Sequence, residues 1–459
     1  MAERLLSVGL DVGTTSTQLI VSELTIENRA SAFAVPDMEI VDRTVRYQSP
    51  VHFTPLLDDS HVDGWKIRQL LEAEYRAAGI SRADVDTGAV IITGETSRKE
   101  NARAVLTALS DFAGDFVVAT AGPDLESVLA ARGAGAVAWS EQTGKRILHM
   151  DIGGGTSNLA WIENGKITAT GCLNVGGRLV KYDENHRLYY VSSVLGKLCQ
   201  LKSGDAVREA DLQPVAEKLV QALEMAAGLR EPTELLEQMW TEEVGILPFG
   251  GRFPKGESWT ISFSGGVADC IDREPAWDSF GDMGPTLGRA IRASRLCRGV
   301  YRLGDQTIRA TVIGAGCHSA QLSGSTVFYK NVTFPLKNLP VVAVTAEEQL
   351  DGSRIREALS QREENRVALA LPGIAAPGYE QVKAMASAVA EVFGNRPVIV
   401  ALEQDMAKAL GHALALILPP DRELLCIDNV RLEDYSYLDV GTPVGPALPI
   451  VVKTLILSR

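Results

Sequence analysis

The sequence predicts an α/β protein built of two similar halves that face one another, followed by a further α/β portion. Three observations carry this. Strand-like and helix-like periodicities alternate along most of the 459 residues. A tight turn opening Asp11-Val12-Gly13 recurs as Asp151-Ile152-Gly153, each time after an apolar strand and 140 positions apart (151 − 11). The chain is also longer than one core fills at about 100–200 residues per domain. A repeat of domain length implies two homologous bodies, and the space between such bodies is where ligands sit.

Taken in order, residues 5–10 and 18–24 read as strands joined by the polar turn 11–17. Helical spacing covers 62–78, 88–93 is a continuous apolar run suited to a buried strand, and 98–109 returns to helix. The second hairpin spans 146–162; setting Asp151 over Asp11 aligns Ile152 with Val12, Gly153 with Gly13 and Thr156 with Ser16. Helices are expected at 214–229, 232–240 and 287–296, with a strand at 260–263. From about residue 309 apolar runs at 341–344, 366–370 and 397–401 alternate with helical stretches such as 379–392. Pattern alone does not place that tail. The expected division is 1–135 for the first domain, 136–300 for the second and 301–459 for the C-terminal portion.

A hydrophobic fraction of 46% is enough to fill such cores, while 45 Lys+Arg against 58 Asp+Glu leave a formal charge of −13. That charge repels phosphate backbones and anionic lipid headgroups, which argues against nucleic acid and membrane surfaces as partners. The six cysteines form no C-x-x-C pair, so neither a disulfide framework nor a thiolate zinc site is indicated. No run approaches the ~18 apolar residues of a membrane span, and the first residues lead straight into a strand-like segment, so a cytoplasmic protein is expected.

A hairpin turn rich in Gly, Thr and Ser offers backbone N–H groups and hydroxyls with little steric bulk, so phosphate oxygens can approach the chain. Asp11 and Asp151 each precede such a turn, and two carboxylates facing phosphates from opposite halves repel unless Mg²⁺ lies between them. One such turn is about as often a plain hairpin as a binding site; two at domain spacing are harder to dismiss. Neither segment reads G-x-x-x-x-G-K-[ST], and neither glycine run opens a helix as a dinucleotide fingerprint requires. His149 shares a strand face with Asp151 and is expected to be a buried, hydrogen-bonded histidine.

With these residues in hand, Gly9-Leu10-Asp11-Val12-Gly13-Thr14-Thr15 resembles the first phosphate motif of the actin, heat-shock-chaperone and sugar-kinase superfamily, and 151–158 resembles the second. Residues 122–135 resemble the helix linking the two domains, and 174–179 the Gly-Gly turn that precedes a second-domain helix. Residues 261–269 resemble the adenosine motif, a strand ending in Gly265-Gly266; 284–294 would be the second linking helix, and 312–318 is a rival adenosine site. Within the superfamily the chain resembles the ethanolamine ammonia-lyase reactivating factors, in 6–17, 93–101, the linking helix, the second phosphate turn, 439–443 and 451–454.

The resemblance implies two actin-like, ribonuclease-H-like ATPase domains flanking a nucleotide cleft, with ATP and Mg²⁺ as cofactors. It assigns metal positioning and catalysis to Asp11 and Asp151, phosphate binding to Gly13, Thr14, Thr15, Gly153, Gly154, Gly155 and Thr156, and base contact to Gly265 and Gly266. A linking-helix carboxylate, Glu126 or else Asp124, would orient the attacking water, the alternative being a helix cap. The implied function is an ATP-driven chaperone that binds ethanolamine ammonia-lyase and lets damaged cobalamin leave so that intact cofactor can bind. Cobalamin would be handled through the lyase. A symmetric dimer is the default assembly, and the family leaves room for association with a bacterial microcompartment. The rival readings are a diol dehydratase reactivase, an activator of corrinoid proteins, a small-molecule kinase and a filament-forming actin-like protein.

Overall fold

The opening strand carries its apolar side chains at Val8, Leu10 and Val12, and a strand's alternation then sends Asp11 to the opposite face. The computed structural model describes residues 3–13, 16–28, 38–58, 61–93, 117–120, 123–241, 259–318, 320–323, 326–360, 364–432, 436–443, 445 and 447–454, and in it that division holds. Val8, Leu10 and Val12 pack under the helix Gly64–Ala77, whose Ile67, Leu71 and Tyr75 recur at helical spacing. Asp63 caps that helix, accepting from the Lys66 N–H at 3.0 Å. The expected helix at 98–109 lies outside the described residues.

The first sheet runs Met38–Gln48, Ser16–Asn28, Glu3–Val12, Thr87–Ile92, Val117–Thr120, with a short strand at His52–Phe53 on its flank. Glu3–Val12 pairs antiparallel with Ser16–Asn28 and parallel with Thr87–Ile92. The second sheet runs Lys166–Leu173, Ser157–Glu163, Ile147–Ile152, Thr260–Ser264, Tyr301–Leu303. Ile147–Ile152 pairs antiparallel with Ser157–Glu163 and parallel with Thr260–Ser264. In both sheets the hairpin's first strand is central; on one side a second strand pairs antiparallel with it and a third antiparallel with the second, and on the other side lie two parallel strands. One topology is therefore used twice, with Asp11 and Asp151 at corresponding points.

Two helices stand between the sheets, and glycine explains how closely they cross. Helix Pro123–Gly133 and helix Ala310–His318 pack so tightly that a Cβ on Gly133 would lie 1.8 Å from the Ala310 carbonyl oxygen, and one on Gly314 2.0 Å from that of Leu129. Leu129 and Ala315 join Leu5, Leu24, Ile26, Ala89 and Ile91 on the Asp11 face of the first sheet. Ala131 joins Ile147, Ala160 and Ile162 on the Asp151 face of the second. The second linking helix is thus Ala310–His318 and not 284–294, and Gly314 of the rival adenosine segment lies at a helix crossing. The physical reason is legible in composition. Helix Gly284–Ala293 has one apolar stripe, Leu287 and Ile291, which the second core absorbs, whereas Ala-Thr-Val-Ile-Gly-Ala-Gly is apolar or small all round, as a helix covered on every side requires.

The turn at Gly176-Gly177 leads into a short hairpin, Val180–Tyr182 with Leu188–Val191, and not into a helix as expected; Val180 and Tyr182 alternate into the core as a strand's residues do. The C-terminal portion forms an eight-stranded sheet whose centre, Leu336–Ala343, Ala368–Leu371, Val398–Leu402 and Leu424–Ile427, is parallel. Helices Gly352–Ser360, Tyr379–Phe393 and Ala407–Ile417 cover one face through Ile355, Met385, Val389 and Leu410. The tail whose placement pattern alone did not give is a third α/β layer, joined to the first half where Val451 packs beside Leu5 and Leu24. No described helix is long and apolar enough to cross a membrane.

Candidate functional site

The two hairpin turns close with the same hydrogen bond. The Gly13 N–H donates to the Ser16 carbonyl at 2.9 Å, and the Gly153 N–H donates to the Thr156 carbonyl at 2.9 Å. Thr14 and Thr15 lie outside the described residues. Behind the first turn, the Thr54 hydroxyl donates to the Gly13 carbonyl at 2.7 Å. Behind the second, the N–H groups of Gly177 and Arg178 donate to the carbonyls of Gly153 and Gly154 at 3.0 and 2.6 Å. A Cβ at Gly176 would stand 2.3 Å from the Gly154 carbonyl oxygen, so only glycine can back the turn there. Gly155 is exposed, with nothing within 4 Å of a Cβ placed on it. The second turn is therefore braced from behind by its own domain and open at its tip, which suits an anion that must approach the backbone.

Asp11 accepts from the Thr93 hydroxyl at 2.9 Å. Asp151, 6% exposed, accepts from the Ser264 hydroxyl and, at 3.5 Å, from that of Thr311. Loss of solvent pushes the Asp11 carboxyl up to about 7, against Thr93's opposing bond, and the negative charge of Asp151 pushes it further the same way. Desolvation likewise raises Asp151 to about 6, against the hydroxyls of Ser264 and Thr311. Asp11 thus feels the charge of Asp151 from the other half. Buried His149 completes the second half: its Nδ1 lies 3.1 Å from Ser262 Oγ and its Nε2 2.9 Å from Ser264 Oγ. Since the Ser264 proton goes to Asp151, His149 donates from Nε2 and accepts at Nδ1, and burial holds it neutral, down at about 3.

A pH dependence follows. The folded carboxyls titrate at about 7 and about 6 against an ordinary 3.8, so the native state holds protons that the unfolded chain has released. The stability this supplies is complete below 3.8 and is lost as pH rises through 6 and 7. Relative to Asp11→Asn, the ligand-free wild-type protein is expected to lose on the order of 2 kcal/mol between about pH 5 and about pH 8, measured by urea unfolding, with the other carboxylates cancelling in the comparison.

The site's seam is a five-residue segment, 307–311, that bonds to each half in turn. Thr307 accepts from the Gly265 N–H at 3.1 Å and its hydroxyl donates to Asp269 at 2.8 Å, both in the second half. The Ile308 carbonyl accepts from Gln18 Nε2 at 3.2 Å and Arg309 donates to the Ser49 carbonyl at 3.0 Å, both in the first. Thr311 returns to Asp151. Gly265, at φ +86°, lies with its would-be Cβ 2.3 Å from the Ile152 carbonyl oxygen, whereas Gly266 meets only Ile308 Cδ1, at 3.8 Å. Of the expected pair, Gly265 is fixed against strand Ile147–Ile152, and Gly266 has room for a Cβ beside Ile308. Glu126 sits half-buried in the first turn of helix Pro123–Gly133; Asp124 is engaged by the Thr170 hydroxyl at 2.5 Å. The seam and the Ser262, Ser264 and Thr311 hydroxyls escaped sequence reasoning. The one signal was Ser262-Phe263-Ser264, which puts hydroxyls where a central strand ordinarily turns apolar residues inward.

Two copies of one sheet, each bringing an aspartate and a glycine-rich turn to a common interface spanned by two crossing helices, define an actin-like ATPase fold. Within it the chain belongs to the EutA family, since the family model described as "Ethanolamine utilisation protein EutA" matches residues 3–458. Two relatives, each named "Ethanolamine ammonia-lyase reactivase EutA", from Salmonella typhimurium strain LT2 and Escherichia coli strain K12, are 40% identical over an alignment of 473 positions, covering 98% of this chain and 98% of theirs. Among solved structures, the ethanolamine utilization protein EutJ from Carboxydothermus hydrogenoformans aligns at 17% identity over 68% of this chain and 88% of that one, with a TM-score of 0.33.

Proposed function

We propose that this chain binds ATP with Mg²⁺ between its two halves and uses the nucleotide cycle to reactivate ethanolamine ammonia-lyase, letting damaged cobalamin leave so that intact cofactor can enter. The observation that carries the nucleotide part is the pairing of the two turns, with Asp151 acting on Asp11 across the interface. Two desolvated carboxylates that repel each other suit a divalent cation, which would offset their charge and that of the phosphates. The lyase as partner rests on the 40% identity to chains named as its reactivases, at nearly full length.

On this reading Asp11 and Asp151 hold the cation and its waters. Gly13, Thr14, Thr15 and Gly153–Thr156 receive phosphate oxygens, Gly266 with Gly265 behind it receives the base, and Glu126 orients the attacking water. A nucleotide alters affinity for a partner only by favouring one arrangement of the halves over another. The segment 307–311 supplies the coupling: any change in the spacing of the turns strains its bonds to Gln18 and Ser49 on one side or to Gly265 and Asp151 on the other.

The test is recovery of ethanolamine deamination by lyase inactivated with cyanocobalamin, given this protein, ATP, Mg²⁺ and fresh adenosylcobalamin. Recovery that requires hydrolysable ATP and is lost in Asp151→Asn is expected. Recovery without nucleotide, or ATP hydrolysis with no recovery, would refute the reactivase reading, the latter leaving the ATPase part intact.

A further inference from the structure

Each aspartate has a carboxamide directly opposite it in its hairpin. Asp11 pairs with Gln18, and Asp151 pairs with Asn158. Directly opposed residues of an antiparallel pair project to one face, so each carboxamide shares its aspartate's side of the sheet, the side covered by the crossing helices. Gln18 is 3% exposed and Asn158 2%, and in both the side-chain oxygen, Gln18 Oε1 and Asn158 Oδ1, is buried without a hydrogen-bond donor among the described residues. In Gln18 the amide's orientation is fixed by chemistry, because Nε2 donates to the Ile308 carbonyl at 3.2 Å and a carbonyl can only accept. Two orphaned acceptors in equivalent places of the repeat, beside two carboxyls that give up their protons once a cation is bound, call for a common donor.

The phosphates of ATP cannot be that donor, since at neutral pH they present acceptors, and a bare cation carries no proton. Water carries two. A water bound to a divalent ion donates strongly, and one lying between a carboxylate and a carboxamide oxygen can satisfy both. We infer that Gln18 and Asn158 are positioning residues for the hydrated cation, each accepting through its side-chain oxygen from a water of the ion's shell on its own side of the interface. This deepens the nucleotide reading above and rests on it.

The experiment is calorimetric titration of the full-length protein with ATP in excess Mg²⁺ and again in EDTA, for wild type, Asn158→Leu, Asn158→Asp and Gln18→Leu, with melting curves to establish that each variant is folded. Asn158→Leu is expected to lose on the order of 10–100-fold of the Mg²⁺-dependent gain in affinity, the range that outer-shell partners of metals carry, while its binding in EDTA stays as in wild type; Gln18→Leu, which also breaks the bond to Ile308, is expected to lose more of the Mg²⁺-dependent gain than of the binding in EDTA. Asn158→Asp, which keeps an acceptor in place, is expected to retain the gain. An unchanged Mg²⁺ gain in the leucine variants, or an equal loss with and without Mg²⁺, would overturn the inference and leave the nucleotide site standing. Absence of ATP binding by the wild type would overturn both, and is told apart by that control.

Discussion

Asp11→Asn and Asp151→Asn are each expected to lower ATP turnover by on the order of 10²–10³-fold, the size of effect seen when one preorganised electrostatic group is removed from a reacting centre. Asparagine keeps the shape and removes the charge, so the prediction isolates what the carboxylates contribute beyond packing. Unfolding is not a rival explanation, because both carboxyls are held above their ordinary range by lost solvation and their neutral replacements avoid that penalty. In the absence of ligand at about pH 8 the Asp11 variant is expected to melt no lower than wild type. The two sites differ in one respect. Asp151 accepts from the hydroxyls of both Ser264 and Thr311, and an amide can satisfy only one of them as acceptor, so Asp151→Asn should forfeit part of the stability that Asp11→Asn gains. Turnover within about threefold of wild type in a folded Asp11→Asn protein would remove that aspartate from the reaction, since so small a change is below 1 kcal/mol.

Much of this site was legible because it is local. A strand, an aspartate and a glycine-rich turn occupy a few consecutive residues, and their repetition at Asp151 exposed the duplication before any fold was known. The strand face of the second hairpin followed from alternation, which put His149 beside Asp151. What sequence did not yield lies in contacts between distant segments. Thr311 reaches Asp151 over 160 positions, and Gln18 reaches Ile308 over 290. No periodicity encodes such pairings; they are set by how two bodies dock. The second linking helix was misplaced for a related reason. Residues 284–294 present a well-formed amphipathic pattern, whereas 310–318, without one, looks like a glycine-containing loop unless it is known to be covered on both sides. The C-terminal layer offered the ordinary alternation of strand and helix, which gives a fold class and no role.

The crossing of those two helices makes the largest stability prediction. Gly314→Ala is expected to destabilise the protein by about 3 kcal/mol or more, at the upper end of overpacking effects. A Cβ there would lie 2.0 Å from the Leu129 carbonyl oxygen, and the corresponding atom at Gly133 would lie 1.8 Å from that of Ala310. Both obstacles are backbone atoms of a neighbouring helix, so no rotamer change relieves them and the helices themselves must move apart. Gly196→Ala is the matching control: a Cβ at that exposed position meets nothing within 4 Å, and the change should stay within about 0.5 kcal/mol. Because Gly133 and Gly314 guard one contact, the double alanine variant should cost less than the sum of the singles, once the first has opened the gap. The same displacement has a functional reading. Helix Pro123–Gly133 packs on both carboxylate faces and helix Ala310–His318 brings Thr311 to Asp151, so spreading them should separate Asp11 from Asp151 and weaken Mg²⁺-dependent ATP binding even where the protein remains folded. A Gly314→Ala protein with wild-type melting temperature and wild-type ATP affinity would mean that the helices do not cross as closely as this, and that the two halves are held at their spacing by the 307–311 seam instead.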